Sequence, residues 1–219
     1  RGAQVKCIRT KNYRHSGNVC HELVPVGDKG TRPGEVDMPG AGGSDRELDY
    51  AVEAADNVAV FTAEIPQKMR IIKTYKFSKD THEFDLAVQV QNLGALPLEA
   101  QGIAVNWCSG LEKVGDPKDA SDVTEGRAYA AGAVEKVTAE KLKKGVMQDE
   151  VKIHGAEWLA LKNKYFTVAL VPGSPAEGGF LRRREGGEYK ISMQIVFPAF
   201  KLEKGAETKV AVAVYSGPL

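Results

Sequence analysis

Apolar residues recur at every second position over long stretches of this chain, and a period of two restricts those stretches to β-strands. In residues 83–91, Phe84, Leu86, Val88 and Val90 fall on one face while Glu83, Asp85, Gln89 and Gln91 fall on the other. Residues 188–197 repeat the pattern with Tyr189, Ile191, Met193, Ile195 and Phe197 facing inward, and Pro198 closes the run because it cannot donate to a ladder. Val210, Val212 and Val214 give a third case. Residues 165–171 are apolar on both faces, which predicts a strand covered on both sides.

Further strands are expected at 4–9, 58–64, 70–77, 98–107, 127–130, 157–161 and 180–184. They are separated by turn chemistry at 78–81, 92–95, 172–175 and 185–187. Many short strands at near-regular spacing predict a large antiparallel sandwich with at most short helices. The helical signal is confined to 138–144, where Thr138 caps a run of good helix formers that stops at Gly145; the run reads as a short helix or a charged hairpin flank. From Gly27 to Asp49 the composition shifts to Gly, Pro, Asp and Arg, which reads as a long exposed loop. Within it Gly40-Ala41-Gly42-Gly43-Ser44 lacks the Lys-Ser/Thr that would hold a nucleotide.

Composition narrows the function classes. At 219 residues, 27% charged and 42% hydrophobic, the chain is long and apolar enough to bury a core without a disulfide framework or structural metal. A net charge of +1 lacks the footprint of nucleic-acid binders and polybasic membrane-surface proteins. No window reaches the roughly 18 to 20 consecutive apolar residues of a transmembrane helix. The chain opens on Arg1-Gly2 and stops just after a strand-like run, so it reads as a piece excised from a longer protein. Cys7, Cys20 and Cys108 fit no zinc spacing; three free thiols are the leading reading, and a Cys7–Cys20 bridge stays open.

Catalytic constellations are thin. His15, His21, His82 and His154 sit in or beside predicted turns and read as solvated. Neither Cys108-Ser109-Gly110 nor Gly173-Ser174-Pro175 forms a nucleophile elbow. Asp116, Asp119 and Asp122 make the densest acidic cluster, but without the ligand spacing of a calcium loop they read as a solvated segment. Trp107, Trp158, Tyr165 and Phe166 are expected to pack in the core. Arg182-Arg183-Arg184 alternate faces and read as a solvated edge strand guarded against aggregation. No catalytic, cofactor-binding or metal-ligating residue is assigned.

Five segments, in order along nearly the whole chain, make three motifs that carry a resemblance. Arg1-Gly2-Ala3-Gln4-Val5 with Glu22-Leu23-Val24-Pro25 looks like an "R-G-G-x-[IV] … E-L-V-P" opening, with Ala3 in place of the second Gly. Lys73-Thr74-Tyr75-Lys76-Phe77 followed by Val90-Gln91-Asn92-Leu93-Gly94-Ala95-Leu96-Pro97-Leu98 looks like "K-x-Y-x-F … V-x-N-x-G-x-x-P-L". Trp158 through Lys164-Tyr165-Phe166 looks like "W-x-x-x-x-x-K-Y-F". Together they resemble the large periplasmic domain of YidC, the bacterial membrane protein insertase. Each motif is weak by itself, and their collinearity makes the case.

The resemblance implies a β-supersandwich similar to the galactose mutarotases, forming one periplasmic domain over residues 1–219 of an inner-membrane protein. It also implies a non-catalytic role in inserting and folding inner-membrane proteins, with the Sec translocon's accessory subunits and nascent inner-membrane proteins as partners, and no cofactor. The rival reading is a mutarotase-like carbohydrate-binding or aldose-epimerase domain. Those enzymes place a catalytic His on the strand after a similar Asn-x-Gly/Ser-x-x-Pro turn, where this chain has Ile103-Ala104-Val105-Asn106-Trp107. Without an acid–base pair the ring-opening proton transfers have no carrier, so no enzymatic activity is expected.

Overall fold

The structure, a computed structural model, describes residues 2–5, 8–14, 20–22, 33–107, 111, 124–138, 142, 150–183 and 191–219. In chain order the strands are β1 (Arg9–Arg14), β2 (Cys20–Glu22), β3 (Glu35–Met38), β4 (Gly43–Ser44), β5 (Ala51–Ala55), β6 (Val58–Ile65), β7 (Met69–Phe77), β8 (Glu83–Asn92), β9 (Leu98–Ala100) and β10 (Ile103–Trp107). They continue as β11 (Glu125–Ala130), β12 (Ala133–Thr138), β13 (Glu150–His154), β14 (Trp158–Lys162), β15 (Phe166–Pro172), β16 (Gly178–Arg183), β17 (Ile191–Phe197), β18 (Phe200–Leu202) and β19 (Glu207–Pro218). A 3-10 turn, Asp45–Glu47, separates β4 from β5.

Nine strands form one sheet in the order β12-β11-β14-β15-β19-β8-β7-β6-β5, and six form a second in the order β13-β16-β17-β10-β3-β4. Two small ribbons, β1-β2 and β18-β9, complete the antiparallel set. The period-two faces meet between the two large sheets. Phe84, Leu86, Val88 and Val90 of β8 share one apolar cluster with Ile103, Val105 and Trp107 of β10 and with Ile191, Met193, Ile195 and Phe197 of β17. The Phe84 and Trp107 rings approach to 6.3 Å across that interface. This is the expected sandwich.

Close approach is enforced by missing side chains. A Cβ on Gly179 would lie 2.6 Å from Leu159 Cδ1 and 2.8 Å from the Gln194 carbonyl. At Gly102 φ is 147°, and this residue breaks the expected strand 98–107 into β9, which pairs with β18, and β10, which joins the smaller sheet.

Several expectations change. The stretch 27–49 is not one exposed loop: from Pro33 onward it holds β3, β4 and the 3-10 turn, with Val36, Met38 and Ala41 in the core, while residues 27–32 lie outside the described set. Ala41 is buried in the core, and although Gly42 is exposed, a Cβ added to it would meet the Met69 methyl, so this stretch is packed against β7. The strand expected at 4–9 starts at Arg9.

β15 is covered on one side only. Phe166, Val168 and Leu170 are buried whereas Val171 is 41% exposed. Nor is β16 an edge, since it lies between β13 and β17, and Arg182 is held by Glu150 of β13 at 2.8 Å. Of the short helix expected at 138–144, Thr138 instead closes β12, while Leu142 is helical and buried; the other residues lie outside the described set.

Candidate functional site

The inward face of β7 reads Met69, Ile71, Lys73, Tyr75, so a lysine takes a core position between isoleucine and tyrosine. Burying an ammonium is costly unless every proton finds an acceptor. Lys73 Nζ donates to the Gly34 carbonyl at 2.7 Å and the Gly2 carbonyl at 2.9 Å, and forms an ion pair with Asp45. The Tyr50 ring lies 5.6 Å from the same nitrogen. Two residues along, Tyr75 donates its hydroxyl to the Ala3 carbonyl at 2.7 Å. Lys73 and Tyr75 therefore grip the backbone of residues 2 and 3.

Asp45 is 1% exposed and equally committed. It accepts from the Val36 amide at 2.9 Å and the Tyr50 hydroxyl at 2.8 Å besides Lys73. Ser44 caps the 3-10 turn by accepting from the Arg46 amide and donates to Glu35 at 2.6 Å. From Glu35 the polar chain continues outward. Asn106 donates to the Glu35 carbonyl, and Gln194 donates to Asn106 Oδ1 at 2.7 Å.

Electrostatics follow burial. Loss of solvent pulls the Lys73 ammonium below its ordinary pKa, opposed by the neighbouring Asp45 and Glu35 charges. The Tyr50 and Tyr75 phenols are pushed up, first by burial and then by the Asp45 charge. With its three protons engaged, Lys73 has no free lone pair for covalent or base catalysis. The cluster is a clasp that joins residues 2–3, the entry to β3 and the 3-10 turn to β7 of the larger sheet.

A second feature is open. A cleft of about 670 Å³ lies at the strand ends beside the Asn-x-Gly-x-x-Pro-Leu turn, lined by Gln67, Lys68, Leu93, Leu96, Glu99 and Lys204 among others. Asn92 builds its floor. Its amide donates to the Leu96 carbonyl at 2.8 Å and the Leu202 carbonyl at 2.9 Å, and its oxygen accepts from the Gly94 amide at 2.8 Å. Leu96 stands 79% exposed on the rim.

The motif residues thus have structural work in plain view. Lys73 and Tyr75 of one motif hold Gly2 and Ala3 of another, and Asn163 accepts from the Tyr165 and Phe166 amides to shape the third. Trp107 and Phe166 are core residues as expected, but Trp158 is half-buried and stacked on Tyr129 at 6.0 Å, and Tyr165 is 43% exposed.

The other residues weighed from sequence are not brought together. His82 and His154 are exposed, and neither is on β10. Cys7, Cys108, His15, Asp116, Asp119, Asp122 and Arg184 lie outside the described residues, and Cys20 and His21 are placed only as members of β2. Among the described residues no group of histidine, cysteine and carboxylate side chains has the arrangement of a metal site.

A family model described as the YidC periplasmic domain matches residues 39–219. The chain belongs to the YidC periplasmic domain family. It is 26% identical over 237 aligned positions to the membrane protein insertase YidC of Chlorobium limicola, covering 100% of this chain and 39% of that protein. The chain therefore spans well under half the length of this YidC relative.

Among solved structures, a galactose mutarotase-related enzyme from Lactobacillus acidophilus matches with a TM-score of 0.69 at 11% identity, over 98% of this chain and 91% of that one. A galactose mutarotase-like protein from Lactobacillus casei matches with a TM-score of 0.63 at 16% identity, over 99% and 94%. These likenesses show the fold, a galactose mutarotase-like β-supersandwich. Among the described residues no helix of this YidC-family chain is long and apolar enough to cross a membrane. Its compartment is the periplasmic side of the bacterial inner membrane, as its family dictates.

Proposed function

We propose that residues 1–219 form a single, non-catalytic periplasmic domain of a longer inner-membrane insertase, and that it docks partners or holds exported segments. The partners proposed are accessory subunits of the Sec translocon and nascent inner-membrane proteins. The insertion step itself is assigned to membrane-embedded parts of the full protein.

The observation that carries the non-catalytic reading is β10, the strand that follows the Asn-x-Gly-x-x-Pro turn and the short β9. β10 turns Ile103, Val105 and Trp107 to the core and presents Ala104 and Asn106 on its other face. Neither residue can shuttle protons at a sugar's anomeric carbon at neutral pH. Among the described residues the buried charged groups are Glu35, Asp45 and Lys73; Lys73 and Asp45 are spent on holding the chain to itself, and Glu35 accepts from the Ser44 hydroxyl. What is left to offer is surface: the cleft beside Leu96 and the exposed side chains of the larger sheet.

Two measurements test this. Removing the domain from the full-length protein should reduce co-purification of the Sec accessory subunits while a polarimetric assay of the domain on hexoses stays at the uncatalysed rate. Saturable mutarotation would overturn the non-catalytic reading. Unchanged co-purification together with unchanged insertion would overturn the docking reading.

A further inference from the structure

Each of the two large sheets has two edges, and three of the four are blunted against further pairing. β4 is only two residues long, β13 carries Glu150, Lys152 and His154, and β12 carries Glu135 and Lys136. The fourth edge is different. β5 reads Ala51-Val52-Glu53-Ala54-Ala55, with no lysine, arginine or proline, and every residue is exposed. It pairs regularly with β6 from Ala51↔Thr62 to Ala55↔Val58, without a bulge, and has no described strand on its other side.

The turn fixes which groups are open. Asp56 and Asn57 make a two-residue connection, Asp56 at φ 50°, that closes on the pair Ala55–Val58. Alternation along an antiparallel ladder then directs the N–H and C=O groups of Ala51, Glu53 and Ala55 to β6 and those of Val52 and Ala54 outward. Val52 is 57% exposed and lies beside Phe61, which packs edge-on against Tyr75 at 5.6 Å. Apolar side chains opposite Val52 and Ala54 would therefore extend an existing aromatic row.

We infer that β5 is a β-augmentation edge that receives an extended segment of a partner protein, with a lysine or arginine opposite Glu53 flanked by β-branched apolar residues. Glu53 selects the occupant. A second copy pairing antiparallel about this position would set Glu53 against Glu53 in a non-hydrogen-bonded pair, where side chains are closest and like charges repel. A basic residue at that place complements it. The inference rests on the docking reading above and names one surface for it.

The probe is a synthetic Ser-Thr-Val-Lys-Val-Thr-Ser peptide and its counterpart with glutamate at the centre, titrated against the full-length protein in detergent. The lysine peptide should bind at least ten-fold more tightly and slow hydrogen exchange at the Val52 and Ala54 amides. Glu53→Lys should reverse the preference, and Ala54→Pro should abolish both. Equal binding of the two peptides, protection elsewhere than β5, or self-association of the unsubstituted protein that protects the Val52 and Ala54 amides would overturn the inference. If domain removal releases the Sec subunits and Ala54→Pro does not, docking stands and the β5 assignment falls. If domain removal changes nothing, the docking reading falls while the titration still decides β5.

Discussion

Lys73 and Asp45 form an ion pair in which neither side chain has any solvent exposure, at the meeting point of β7 and the 3-10 turn. Breaking one side of such a pair leaves a buried charge without compensation. Lys73→Met should lower stability by about 3–5 kcal/mol in urea unfolding. Adding Asp45→Leu should recover part of that loss. A single substitution costing less than about 1 kcal/mol would show that the clasp contributes little.

Asn92 serves three backbone partners from a site 1% exposed. Asn92→Ala leaves two carbonyls and one amide short of partners, and should cost about 2–3 kcal/mol. Thermal unfolding measures it. Because the same residue shapes the turn at 92–98, hydrogen exchange at Gly94 should rise in this variant even well below its melting temperature.

Gly179 sits where Leu159 and the Gln194 carbonyl leave no room for a methyl group. Gly179→Ala should destabilise by about 1–3 kcal/mol through overpacking between the sheets. The same change at Gly132, which has open space but φ of 79°, tests backbone strain alone and should cost about 1 kcal/mol.

Glu125 supplies the pH dependence. Burial pushes its carboxyl up, yet hydrogen bonds and charge from Lys136 and Arg127 outweigh that and hold it below the ordinary carboxylate range. A carboxylate depressed in the folded state adds stability above its unfolded pKa and loses it as pH falls through the folded one. The group is partly solvated, so Glu125→Gln should cost about 0.5 kcal/mol at neutral pH. The difference from the parent chain should vanish in acid, and a gap that widens in acid would contradict the assignment.

Where the polar–apolar period was strict, the strands were legible from residues alone, as β8 and β17 show. Three kinds of feature were hidden. Val36, Met38 and Ala41 are core residues scattered among Gly, Pro and Asp, so β3 carries no run long enough to show a period. β5 is exposed on both faces and has no inward side to alternate with. The clasp joins residues 2, 34, 45 and 73, a separation that no local pattern encodes. One signal was available, namely the lysine at a core position of β7. Val171 and Trp158 misled for the opposite reason, because apolar residues on the open face of the larger sheet look like core.

The grip of Lys73 and Tyr75 on the carbonyls of residues 2 and 3 settles where a mechanical load would enter the fold. β7 is separated from β19, the last strand, only by β8. A pull between residues 2 and 218 would therefore travel through three adjacent strands at the heart of the nine-stranded sheet. Past the hydrogen bonds of the clasp, such a load is shared by the long β7–β8 and β8–β19 ladders rather than falling on a border strand.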